Sequence, residues 1–303
     1  VTKSNVIIVL DTSTSMVNNN TTYNGTRMSR LNAEKRVLTD TDGIIDKLLA
    51  NNTTANPDII EIALVEFRNA GHKIQDFTAN ATGLKYAKEY ADFIKQRQPD
   101  EDVYIIFLTD GEPTTHANSY STQNNQTGYQ NNWTYASDDA RAIVTAGYKF
   151  YGIFSWGSSN SSKYLSSLVN YAYTGSGNYN SSLNSAYAEY FTDATSTEAL
   201  IAKLESIAQT ITTGVGYTNV ELTDGVTEMT TSSVKTTAAG TVSGLKYYRS
   251  GGSYSTTANN GLGEEWTDAP AATINEKGEV DWNLGNTVLE NGVTYTVTFV
   301  VWP

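Results

Sequence analysis

The segment Asp11-Thr12-Ser13-Thr14-Ser15 places a carboxylate and two hydroxyls at alternate positions. In an extended turn that spacing aims Asp11, Ser13 and Ser15 at one point. Hard oxygen donors of this kind suit Mg2+ or Mn2+. The same residue types are also favoured where a helix begins, so the pentapeptide alone leaves a capping role open. A second segment, Leu108-Thr109-Asp110-Gly111-Glu112, ends an apolar run. Alone it reads as an ordinary Asp-Gly turn. Two aspartates at the ends of neighbouring parallel strands would instead share a cation. Glu112 is then either an outer partner of that cation or a solvated turn residue.

Convergence of this sort requires strands that end side by side. Residues 5–10 (NVIIVL), 59–67 (IIEIALVEF), 103–108 (VYIIFL) and 148–154 (YKFYGIF) are apolar runs with β-branched or aromatic character, as buried parallel strands require. Between them, residues 28–50, 84–95 and 136–146 carry apolar positions at helical spacing, as do residues 197–213 after the last strand. The alternation predicts a doubly wound, mostly parallel α/β sheet with its ligand site at the carboxyl ends of the strands. Three polar loops, 16–30, 111–135 and 155–185, leave those ends, so they are expected to surround the site. Tyr23, Tyr120, Tyr129, Trp133 and Tyr135 supply aromatic surface in the first two. After about residue 214 helical periodicity gives way to short β-prone runs at 217–222, 242–248 and 294–302. The expected organisation is an α/β domain over 1–213 and a small all-β sandwich over 214–303.

Composition removes several function classes. The formal net charge of −12 repels phosphate backbones and anionic membrane surfaces, so nucleic acid is not an expected partner. With no cysteine there is no disulfide framework, thiolate metal site or cysteine nucleophile. The two histidines, His72 and His116, have no partner at zinc spacing. No nucleophile-elbow, P-loop or dinucleotide fingerprint occurs, and no apolar run is long enough to span a bilayer. The chain opens at Val1 with neither Met nor an apolar leader, which fits a processed or excised chain. An enzyme is not expected, although a metal-dependent hydrolase is a third reading.

Together, DTSTS and LTDGEP, in this order of strands and helices, resemble the von Willebrand factor type A domain with its metal-ion-dependent adhesion site. The resemblance covers roughly residues 4–213. It implies one divalent cation (Mg2+, or Mn2+ or Ca2+) held by Asp11, Ser13, Ser15, Thr78 and Asp110, with Thr82 as the reserve for Thr78. Where the family often has two glycines before this Thr, the chain has Asp76-Phe77. Only two ligands are charged and some act through water, so the cation keeps the capacity to accept an acidic group from a partner. The Thr-rich tail, with Val293-Thr294-Tyr295-Thr296-Val297 near its end, resembles the sandwich that accompanies this domain in pilus-tip adhesins of Gram-positive bacteria. Such sandwiches often carry a Lys–Asn isopeptide bond beside a buried acid; Lys246 with Asn283 or Asn286 are candidates. The resemblance implies an extracellular adhesin on a pilus or cell wall. Its partners would be a host or extracellular-matrix protein or glycan, together with other pilus or surface-protein domains. The runner-up is an intracellular type A domain serving as an assembly or ATPase-partner subunit.

Overall fold

The strand β1 (Ser4–Asp11) is buried along its whole length. It is followed by α1 (Thr14–Asn18), β2 (Asn20–Tyr23), β3 (Thr26–Ser29), α2 (Arg30–Thr39), α3 (Ile44–Leu49), β4 (Ile60–Phe67), α4 (Asn80–Arg97) and β5 (Asp102–Thr109). Then come α5 (Gln126–Thr145), β6 (Lys149–Ser155), α6 (Ser159–Thr174), a 3-10 turn at Ser185–Tyr190, β7 (Phe191–Ala194) and α7 (Thr197–Thr213). The computed structural model describes residues 2–54, 56–67, 80–113, 125–157, 159–215, 220–225, 233–234, 236–238, 240–290 and 292–302.

Five strands form one sheet in the order β4-β1-β5-β6-β7, and every pair in it is parallel. From β1 the chain moves outward to β4, then returns past β1 to β5 and continues to the other edge. The direction of winding therefore reverses between β1 and β5, which in open α/β sheets is where a ligand crevice forms. Ile7, Val9, Ile105, Phe107 and Phe150 pack on one face beneath Leu84 and Ala87 of α4, Ala136 and Ile143 of α5, and Leu165 and Val169 of α6. The alternate positions Val6, Ile8, Ile106 and Ile153 are equally buried on the opposite face. Lys203 of α7 lies over the Tyr151 ring on that side. Each such side chain contributes on the order of 1.5–3 kcal/mol by leaving water, so the β1–β5 seam is a stiff platform.

The helix expected over 28–50 is two helices. Gly43 donates to Asp40 O at 2.7 Å and Asp42 has φ +61°, which turns the chain between α2 and α3. A Cβ at Gly43 would stand 2.6 Å from Asp40 O, so the turn requires glycine. The three loops expected to be irregular carry structure. Residues 16–30 hold the end of α1 and the β2–β3 hairpin. α5 begins at Gln126, capped by the Asn125 side chain accepting from Gly128 N. This corrects the reading of Tyr129, Trp133 and Tyr135 as loop aromatics, since all three lie in α5: Trp133 is buried and donates from Nε1 to Tyr164 O, and Tyr129 packs against the same core. Tyr23 is buried under Arg36, and among the described members of the group only Tyr135 stays well exposed. Tyr120 lies outside the described residues. Residues 159–174 form α6, whose Ser-rich composition hides the helical spacing of Leu165, Leu168, Val169 and Ala172.

Lys3–Ile211 form one compact unit; Thr212–Pro303, with the first two residues, form the other. The second carries β8 (Glu221–Asp224), β9 (Ser233–Val234), β10 (Lys246–Gly251), β11 (Glu264–Glu265), β12 (Thr273–Ile274), β13 (Val280–Asn283), β14 (Val293–Thr298) and β15 (Val301–Trp302). They make three small antiparallel sheets, β11-β10-β14, β12-β13-β8 and β15-β9. Their core centres on Trp282, which is fully buried, sits 6.2 Å from the Trp266 ring and donates to Pro270 O. Lys246 and Asn283 are exposed and sit in different sheets, and Asn283 Oδ1 accepts from Gly285 N. That is not the buried setting an isopeptide bond needs.

Candidate metal centre

β1 ends on Asp11 and β5 ends on Thr109, and their register pairs Leu10 with Leu108. The two segments therefore finish side by side at the winding reversal. Thr12 turns away, its N–H and hydroxyl both donating to Phe67 O at the end of β4. This leaves Asp11, Ser13 and Ser15 on the other side of the turn. Asp11 Oδ1 accepts from Ser13 N at 2.9 Å, and Asp11 Oδ2 accepts from the Thr109 hydroxyl at 2.7 Å. Ser13 Oγ and Ser15 Oγ are 3.0 Å apart, and Ser15 Oγ donates to Asp110 Oδ1 at 2.6 Å. Asp11, Ser13, Ser15 and Asp110 thus form one continuous hydrogen-bonded chain.

Ser13 occupies the position preceding α1, yet its hydroxyl makes no capping bond to the helix backbone. The capping role left open by the sequence is therefore not the one Ser13 plays. Thr78 lies outside the described residues; Thr82 falls in the first turn of α4.

Burial makes this cluster electrostatically tense. Asp11 is 3% exposed and Asp110 6%. Burial, and then the neighbouring Asp110 charge, push the Asp11 carboxyl up to about 6. Sequence reasoning missed two further groups, both on α2. Arg30 donates to Asp110 Oδ2 at 2.7 Å and to Trp156 O at 2.7 Å. Glu34, one turn later, is 1% exposed, and burial followed by the charges of Asp11 and Asp110 raises its carboxyl well above the usual range. The only signal for either was their i, i+4 spacing on a helix that starts just after the loop beside Asp11.

The far wall is equally constrained. Trp156 adopts φ +57°, a left-handed conformation that costs a bulky residue of order 1–3 kcal/mol. It is held by Trp156 N donating to Ala194 O and by its indole donating to Thr197 Oγ1. The Thr197 hydroxyl donates to Thr22 O of the hairpin. Gly157 follows, where a Cβ would stand 2.0 Å from the Phe154 ring and 2.9 Å from Asp110 O. Glu112 accepts from the Ser161 hydroxyl of α6, which ties it away from the two aspartates.

The donors fit a hard divalent cation. They are all oxygens, two of them charged, already gathered within hydrogen-bonding distance, and among the described residues the buried acid outweighs the one guanidinium beside it. Among the described residues no three His, Cys, Asp or Glu side chains close directly on one point, so hydroxyls must complete any direct ligand set.

The fold and this cluster define a doubly wound parallel α/β unit with an acidic, hydroxyl-rich switch-point site, joined in sequence to a small antiparallel β unit. Residues 217–303 match a family described as "Domain of unknown function (DUF7604)". Comparison with curated proteins finds no match. Among solved structures the chain is similar to the PilB minor pilin from Streptococcus sanguinis, at 18% identity and a TM-score of 0.45, over 69% of this chain and 61% of that one. A point mutant of the same pilin gives a TM-score of 0.47 over the same shares. The three N-terminal domains of the type V pili tip protein Mfa5 from Porphyromonas gingivalis give 14% identity and a TM-score of 0.42, over 99% of this chain and 62% of that one. The chain thus spans about three fifths of the length of these solved chains. Among the described residues no helix is long and apolar enough to cross a membrane.

Proposed function

We propose that this chain is a non-enzymatic adhesion module of the von Willebrand factor type A kind, displayed on a bacterial pilus or cell wall. Asp11, Ser13, Ser15 and Asp110, with Thr78, hold one divalent cation, Mg2+ or else Mn2+ or Ca2+. When bound, that cation supplies a coordination position for an acidic group of a host or matrix ligand. The second unit serves as a stalk towards other pilus or surface-protein domains. The observation that carries the reading is the hydrogen-bonded chain linking four of the five motif residues at the winding reversal.

The charges support binding over turnover. Asp11 and Asp110 bring two negative charges, and Arg30 offsets one of them. A divalent cation there retains net positive charge for an acidic partner. Arg30 is no substrate clamp of the phosphoryl-transfer kind, because its guanidinium is committed to Asp110 and to Trp156 O. The test is adhesion of the full chain to a panel of matrix proteins and glycans, with Mg2+ and with chelator. Binding should vanish with chelator and in Asp11→Ala. Calorimetric titration showing equal Mg2+ affinity in wild type and Asp11→Ala would overturn the reading.

A further inference from the structure

Among the described residues, Glu34 is the one fully buried acid beside the site to which the proposed function gives no task. Both its carboxylate oxygens are buried without a hydrogen-bond partner, and so is Arg30 Nε. Arg30 and Glu34 stand four residues apart on α2, which places them on one face of the helix. Arg30 shows where that face points: its guanidinium is on Asp110 Oδ2. Glu34 is buried on α2 together with Ala33 and Val37, at 1% exposure. A buried carboxylate with no partner costs several kcal/mol, and a protein with no use for it has Gln or Leu available at the same volume. The electrostatics agree, since both Asp11 and Asp110 act on the Glu34 carboxyl.

We propose that Glu34 is an outer carboxylate of the cation site, accepting hydrogen bonds from water bound to the cation on the α2 side. The inference rests on the proposed cation site. Glu34 does not close on Asp11 and Asp110 tightly enough for all three to ligate directly, so it acts through water. Hydrated Mg2+ and Mn2+ suit this arrangement, because Mg2+ in particular keeps several of its waters in protein sites. Carboxylates in this outer position orient the inner shell and commonly change metal affinity by 10–100-fold.

The test uses the full chain and Mn2+ or Mg2+ alone. Calorimetric affinities and melting temperatures with and without metal are compared for wild type, Glu34→Gln and Glu34→Leu. Both variants should bind Mn2+ at least tenfold more weakly. Without metal both should melt at or above the wild-type temperature, because an unpaired buried acid has gone, so weakened binding cannot be put down to misfolding. Wild-type binding with both variants within twofold of it would overturn the role of Glu34 and leave the cation site standing. No Mn2+ or Mg2+ binding by wild type would remove the site itself, and Glu34's role with it.

Discussion

The two ends of the β1–β5 seam are built from the same strands and treat charge in opposite ways. At the amino end, Lys3 meets Asp58 at 2.6 Å and Asn5 donates to Glu101 at 2.6 Å. Lys3 and Asp58 are partly exposed, and their hydrogen bond raises the Lys3 ammonium and lowers the Asp58 carboxyl. Lys3 and Asp58 stabilise each other's charged form, while burial raises the partly exposed Glu101 carboxyl against the hydrogen bond from Asn5. At the carboxyl end the described residues place one guanidinium, the partly buried Arg30 on Asp110, beside three buried acids, Asp11, Asp110 and Glu34, and the Asp11 and Glu34 carboxyls move the other way. Folding alone would not select that excess, since unpaired buried charge lowers stability. A region that keeps an acid excess the described residues do not neutralise is suited to a positive charge from outside.

Removing Arg30, the one cation that the described residues place at the carboxyl end, should sharpen this contrast most. Arg30→Met leaves the Asp110 charge buried without a counterion and Trp156 O without its donor. Breaking a buried pair in this way costs about 3–5 kcal/mol. Urea unfolding in chelator should show a loss of that size, and Mn2+ should restore part of it. A loss below about 1 kcal/mol would mean that Arg30 does not balance the cluster.

The next effect is in pH. The folded Asp11 carboxyl lies near 6, above its ordinary value near 3.8, so it is raised. Its contribution to stability is therefore fully present below about pH 4 and is lost as pH rises through 6. That is about 3 kcal/mol between the two limits in metal-free protein. Glu34 adds in the same direction. Melting in chelator at pH 4.5 and 7.5 should show about 2 kcal/mol of this loss at neutral pH, since part is already gone at pH 4.5, and Asp11→Asn should reduce the difference by roughly that amount. Cation affinity should in turn weaken below pH 6, where a proton competes. A stability difference between the two pH values that Asp11→Asn leaves unchanged would show that Asp11 is not under this pressure.

Much of the platform was legible in the sequence because strand burial leaves uninterrupted apolar runs: 5–10, 59–67 and 103–108 foretold β1, β4 and β5 almost to the residue. α7 matched its apolar stripe as well. α6 and the first half of α5 were not legible, because Ser, Asn and Gln fill their exposed faces and read as loop. β7 is four residues long and carries no pattern. Asp11, Ser13, Ser15 and Asp110 came from motif spacing, which works because strand ends in a parallel sheet are neighbours. Arg30 and Glu34 escaped because their roles depend on how α2 lies against the seam, which no local spacing encodes. Thr78 lies outside the described residues, so that choice stands as an expectation.

The smallest expected effect is at the amino end. Replacing Lys3 with Met and Asp58 with Asn in one chain removes a short ion pair that the structure presents clearly. An exposed pair of this kind gains little in high dielectric and is screened by salt. The double variant should therefore melt together with wild type at 0.15 M salt, with unchanged Mn2+ affinity. Such an outcome separates two meanings of a close contact. At the amino end, 2.6 Å between opposite charges marks a solvated surface whose removal the fold tolerates. At the carboxyl end, 2.7 Å between Arg30 and Asp110 marks a site where removing either group leaves a buried charge unmatched. A drop in melting temperature for the Lys3 and Asp58 variant as large as that for Arg30→Met would break the contrast. The seam would then depend on paired charge at both ends, and the acid excess beside Asp11 would no longer stand apart.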